Sequence, residues 1–157
     1  MLRSQWLKNL ERGNYSHVIH QLQKNEKKQD AEATFTLGLA YFYALGVEED
    51  VVRAMELFSL AIKRGYERAH IAQIYLALGH YYGYFVEKNL DETRRILLEV
   101  QSKEVLPHEA LIMNTYLAIL TYNIHDKAQA IQAQKYLNNN LLLIIEPRFK
   151  QGYMVFV

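Results

Sequence analysis

The chain has no cysteine, which removes disulfides, thiolate nucleophiles and zinc–sulfur sites from its chemistry. Proline is scarce, with only Pro107 and Pro147 in 157 residues, so little interrupts a helix. An excess of one charge sign is also missing. The 18 basic and 17 acidic residues leave a net charge of +1. The balance holds locally: ten basic against nine acidic in residues 1–80, eight against eight in residues 81–157. A surface that tracks phosphates needs concentrated positive charge, so no nucleic-acid partner is expected. The longest aliphatic run, Leu141 to Ile145, falls far short of the roughly 20 residues of a membrane span. The first ten residues alternate apolar and polar and carry no apolar signal-peptide segment. The expectation is a soluble, cytoplasmic protein with no membrane partner.

What the chain does have is apolar surface and tyrosine. Half the residues are hydrophobic and twelve are tyrosine, enough for a domain that buries roughly two thirds of its unfolded surface. Apolar residues recur at helical spacing. Ala33, Leu37, Ala40, Tyr41 and Ala44 share one face of a 3.6-residue period, as do Val51, Ala54, Met55, Phe58, Ala61 and Ile62. Gly46 and Gly65 follow these stretches, where a left-handed residue commonly ends a helix. Asp50 precedes the second stretch, where its carboxylate can accept free backbone N–H groups.

This helix–turn–helix unit repeats. With Asn14, Asp50, Asp91 and Asp126 as helix caps, the residues five positions on are Ile19, Met55, Ile96 and Ile131. The cap spacings of 36, 41 and 35 residues fall in the range of helical-pair solenoids. Helices are expected before each cap, at residues 3–12, Glu32–Ala44, Ala69–Tyr84 and Glu109–Asn123. The fold expected is all-α, about four antiparallel helix pairs stacked in one domain over residues 1–157. The repeats fall at about 2–28, 31–66, 69–103 and 108–140, with a capping segment at 141–157. Short helices with one apolar face must stack to be stable.

Residues 31–66 resemble a Sel-1-like repeat, a tetratricopeptide-related family. The resemblance rests on Ala33, Leu37-Gly38, Tyr41, Gly46-Val47, Asp50, Ala54, Leu57-Phe58, Ala61 and Gly65, with Ala44 where the family has its first turn glycine. Residues 69–103 match less well, through Ala69, Leu78-Gly79, Tyr82 and Asp91, with Arg95 at the small-residue position. The family resemblance implies a right-handed α-solenoid and a non-enzymatic role as a protein-binding adaptor or scaffold. It also implies a second reading, a bacterial immunity protein that neutralises a cognate toxin or secreted effector. Gly38 and Gly79 stand mid-helix, where glycine costs about 1 kcal/mol relative to alanine. That cost makes sense where another helix crosses closely, with Tyr41 and Tyr82 filling the space beside the crossing.

No catalytic pattern accompanies the repeats. Nucleophile elbow, P-loop and dinucleotide fingerprint are all lacking, so neither an enzyme nor a cofactor is expected. His17 and His20 stand three apart on a helix without an acidic third ligand one turn away, and no metal site is assigned. His70, His80, His108 and His125 are scattered. Glu48-Glu49-Asp50 reads as a helix start, where acids meet the helix dipole. The pairs Lys27-Lys28, Lys63-Arg64 and Arg94-Arg95 are too short for a nucleic-acid groove.

The aromatic runs Tyr41-Phe42-Tyr43 and Tyr81-Tyr82 with Tyr84-Phe85 point in several directions at once. With Tyr41 and Tyr82 inward, Tyr43 and Tyr84 fall on the inner stripe of the first helices, with Thr36, Gln73, His80 and Thr115. Tyrosine is enriched at binding hot spots, so these six residues are the candidate partner surface; the alternative is that the tyrosines pack between repeats. After Asn140, the runs Leu141–Ile145 and 152–157 fit either a terminal hairpin or the end of a long helix. So apolar a segment should dock on the last helix pair, a second copy of the chain or the partner.

Overall fold

The structure, a computed structural model, describes residues 8–9, 12–13, 15–122 and 125–145. The expected first helix at 3–12 lies mostly outside these residues, as do the Asn14 cap and the segment 146–157. The described residues hold seven helices and no strand. They are α1 (Tyr15–Lys27), α2 (Ala31–Tyr43), α3 (Val51–Lys63), α4 (Ala69–Tyr82), α5 (Leu90–Val100), α6 (Pro107–Thr121) and α7 (Lys127–Ile145). Helix α7 continues through Leu141–Ile145, so that aliphatic run is helical. Each helix packs on the next, and α4 also meets α6. The fold is an all-α helical-repeat solenoid.

The core has no single centre. Among the described residues, three apolar clusters follow one another along the stack, and neighbouring residues divide between them. Leu57 joins Val18, Leu22 and Leu37 under α1 and α2, whereas Phe58 joins Phe35, Met55 and Tyr75 between α2, α3 and α4. Ile74 joins Leu97, Val100 and Leu117 between α4, α5 and α6. Helix α2 is therefore enclosed nearly all round, with every residue from Ala33 to Ala40 buried. At one end Arg64 Nη1 donates to Glu26 Oε1 at 3.2 Å, the Glu26 carbonyl at 3.0 Å and Thr34 Oγ1 at 2.7 Å. That single guanidinium ties α1, α2 and α3 together.

The two central repeats are offset by 39 residues (50 to 89), not the 41 inferred from Asp50 and Asp91. The cap of α5 is Asn89, whose side chain accepts from the Glu92 N–H at 3.0 Å; Asp91 stands inside the first turn. Asp50 caps α3 in the same way, accepting from Arg53 at 2.9 Å, and Asp126 accepts from Ala128 and Gln129. The turns agree with the shorter offset. The Asp50 N–H donates to the Tyr41 carbonyl at 3.0 Å and the Asn89 N–H to the His80 carbonyl at 2.8 Å. Ala54, Leu57, Phe58 and Ala61 then correspond to Thr93, Ile96, Leu97 and Val100, all eight buried. The buried counterpart of Ala54 is thus Thr93, whose hydroxyl is shared between the carbonyls of Ala77 at 3.1 Å and Asn89 at 3.0 Å. Arg95, expected there, is exposed and paired on its own helix with Glu92 and Glu99. Its hydrogen bond holds the Glu92 carboxyl below the usual range.

The same offset makes Phe85 the counterpart of Gly46 and Gly83 that of Ala44. All four are left-handed, with φ of 64°, 76°, 78° and 55° respectively. Each turn thus has one glycine and one residue for which this conformation costs about 1–2 kcal/mol. Gly38 has the close neighbour that its mid-helix position predicts. A Cβ there would lie 2.7 Å from Phe58 Cε1 and 3.4 Å from Leu57 Cβ on α3. In the next repeat Ala77 and Leu97 replace Gly38 and Phe58, so a larger residue on one helix accompanies a smaller one on the other.

Candidate functional site

The 39-residue offset pairs Tyr82 with Tyr43, and Tyr41 with His80. Tyr82 is therefore not an inward residue. It is 48% exposed at the last position of α4, where the left-handed Gly83 turns the chain away. Its hydroxyl hydrogen-bonds that of Tyr116 on α6. Its ring stacks on Tyr84 (centroids 5.2 Å, 20° between planes) and meets Tyr81 edge-on at 4.8 Å.

Tyr43 is the better enclosed of the counterparts. Its hydroxyl lies 3.0 Å from that of the fully buried Tyr75 and 2.6 Å from His108 Nε2. Tyr75 in turn donates to Glu109 Oε1 at 3.2 Å. This chain of polar groups joins α2, α4 and α6 behind an aromatic wall. Phe42 packs edge-on against both Tyr43 and Tyr75, and Phe58 stacks on Tyr75 at 4.8 Å. Burial pushes the hydroxyls of Tyr43, Tyr66 and Tyr75 well above their usual ionisation range. The Glu109 carboxylate acts in the same direction on Tyr43 and Tyr75.

In front of this wall lies an open groove of about 400 Å³ between the ends of α2, α4 and α6. Tyr43, Tyr82, Tyr84 and Tyr116 line it, with Ile112 from α6 and Glu49 from the turn before α3. The hydroxyl of Tyr84 titrates above its ordinary range through partial desolvation, then through Tyr82 and Glu49. A smaller depression of about 150 Å³ adjoins it, bounded by Met55, His80, Phe85 and Val86, and Tyr84 belongs to both. Phe85 is 52% exposed despite its left-handed backbone.

The six residues of the expected inner stripe therefore separate. Tyr43 and Tyr84 meet in the groove, and His80 lies in the adjoining depression. Thr36 is 1% exposed and its hydroxyl donates to the Glu32 carbonyl at 2.8 Å, so it offers nothing to a partner. Gln73 and Thr115 are half-buried and line neither hollow. Sequence reasoning missed Tyr82, Tyr116 and Glu49 as groove residues. The signal that could have found Tyr82 was the turn: aligning Gly83 with Ala44 places Tyr82 on Tyr43.

Among the described residues, no three His, Cys, Asp or Glu side chains converge as a metal site would require. His17 and His20 are both exposed on α1. No described helix is long and apolar enough to cross a membrane.

Residues 31–66 and 70–97 match the family model of the Sel1 repeat. A crystal structure of a Sel1 repeat protein from Oxalobacter formigenes shares the fold at a TM-score of 0.54 and 17% identity, covering 80% of this chain. It is matched over 50% of its own length, so this chain spans about half of it. Comparison with curated proteins finds no match. Sel1 repeats generally mediate protein–protein interaction, and proteins built from them are typically non-catalytic scaffolds. Two segments of the chain, residues 31–66 and 70–97, are thus similar to the Sel1 repeat.

Proposed function

We propose that the chain is a non-enzymatic adaptor that binds a partner protein in the tyrosine-lined groove on the inner side of its helical array. The observation that carries this reading is the convergence of Tyr43, Tyr82, Tyr84 and Tyr116, drawn from three successive first helices and their turns, on one open hollow. Rigid aromatic side chains with a hydroxyl give a large contact area at little entropic cost. A groove built by several repeats also exists only in the folded stack, which ties recognition to the array as a whole.

Tyr82 and Tyr84 are the side chains that test it, since Tyr43 is too deeply engaged with Tyr75 and His108 to be removed cleanly. The Tyr82→Ala/Tyr84→Ala protein is expected to retain its partner from lysate of the source cell at least about tenfold less well. Its melting temperature is expected to stay within a few degrees of the parent. Undiminished retention would place the binding surface elsewhere. The partner recovered also decides the biological setting: a toxin or secreted effector would make the chain an immunity protein.

A further inference from the structure

The groove has a sign as well as a shape. Among the described residues that line it, Glu49 is the one acidic or basic side chain apart from His108. Glu48 and Asp50 flank it on the same exposed turn. A second carboxylate, Glu109, stands behind the wall on Tyr75. Helices α2 and α4 contribute only aromatic and aliphatic groups to the lining, and α6 contributes His108, Ile112 and Tyr116. Among the described residues no lysine or arginine lines the hollow; Lys88, in the same turn as Tyr84, is outside it. Tyrosine faces carry negative π-density, and cations are attracted to them, most strongly where water is partly excluded. A planar guanidinium can stack on such a ring and still offer N–H donors to a carboxylate.

We propose that the groove receives an extended segment of the partner carrying an arginine side chain, its guanidinium stacked on the tyrosine faces and paired with Glu49. This rests on the groove being the partner-binding surface and adds the chemistry of what enters it. The open hollow of about 400 Å³ has room for one such side chain and its neighbours, which suits a strand of peptide. An acidic segment would meet the Glu49 carboxylate and the negative faces of the rings.

Random dodecapeptides displayed on phage and panned on the full chain test this, with selected peptides then labelled and titrated by fluorescence anisotropy. Selected sequences are expected to be enriched in arginine beside apolar residues. Replacing that arginine by glutamate should weaken binding at least about tenfold, and Glu49→Gln in the protein about fivefold. Glu49 is exposed, so this variant should fold as the parent does. Recovery of acidic or charge-indifferent peptides, or of none, would overturn the inference. If charge-indifferent peptides lose affinity on Tyr84→Ala, the groove remains the binding surface and only the arginine is wrong. If arginine peptides ignore both Glu49→Gln and Tyr84→Ala, they bind elsewhere and both readings fall.

Discussion

Gly38→Leu is expected to melt about 10 °C below the parent protein, or to fail to assemble. Even the first added carbon would stand 2.7 Å from Phe58 Cε1, inside van der Waals contact. Phe58 has little room to retreat. It is fully buried, stacked on Tyr75 at 4.8 Å and tilted against Phe35 at 5.5 Å. Overpacking a core costs about 1–3 kcal/mol and sometimes more, and each kcal/mol lowers the melting temperature of a domain this size by about 2–4 °C. Gly38→Ala separates the effects. Alanine contributes up to about 1 kcal/mol of helix propensity, which offsets part of the clash. Adding Phe58→Leu to Gly38→Ala reproduces the Ala77 and Leu97 arrangement of the next repeat and should recover part of the loss. Thermal unfolding followed by circular dichroism checks the series. An unchanged melting temperature for Gly38→Leu would refute the close approach of α2 and α3.

Tyr75→Ala should be comparably damaging, at about 3–5 kcal/mol, because it empties the place of a fully buried ring. Tyr75→Phe keeps the ring but removes the hydroxyl that serves both Tyr43 and Glu109. It should cost about 1–3 kcal/mol, since a buried acceptor loses its donor. Losing the hydroxyl also changes the response to alkali. Burial raises the pKa of Tyr75, Tyr43 and Tyr66 in the fold, while in the unfolded chain tyrosine ionises near 10. Above about pH 10 the unfolded chain loses protons that the fold retains, so stability falls as pH rises and is flat below that point. Each such group adds about 1.4 kcal/mol per pH unit to the slope. Tyr75→Phe removes one of the three and should flatten the decline measured by urea unfolding between pH 8 and 11. A slope equal to the parent's would show that Tyr75 ionises in the fold as readily as in solution.

Much of the architecture could be read from residue spacing, because helix faces are written at a period of 3.6 and the first repeat keeps its punctuation. Asp50, Gly38 and the Ala54, Leu57, Phe58, Ala61 face do in the structure what their positions imply. The second repeat was harder for a physical reason. Asn89 and Asp91 are both good caps, and Leu78-Gly79 imitates Leu37-Gly38, so two cues agreed on an offset wrong by two residues. The left-handed turn decides otherwise, and Phe85 disguises it by standing where the first repeat has Gly46. A two-residue slip on a helix rotates every side chain by about 200°. It therefore turned Tyr82 inward and hid it from the groove; Thr36 fails for another reason, because every residue of α2 from Ala33 to Ala40 is buried. The groove depends on how three helices converge, and Tyr116 and Glu49 enter it from elements whose relation no local pattern records.

The most direct measurement is amide hydrogen exchange of the chain alone and with its captured partner. Binding in the groove predicts new protection confined to the C-terminal ends of α2 and α4, their following turns, and the first half of α6. Protection centred on the middle of α3 and on α5, with the groove exchanging as before, would contradict it.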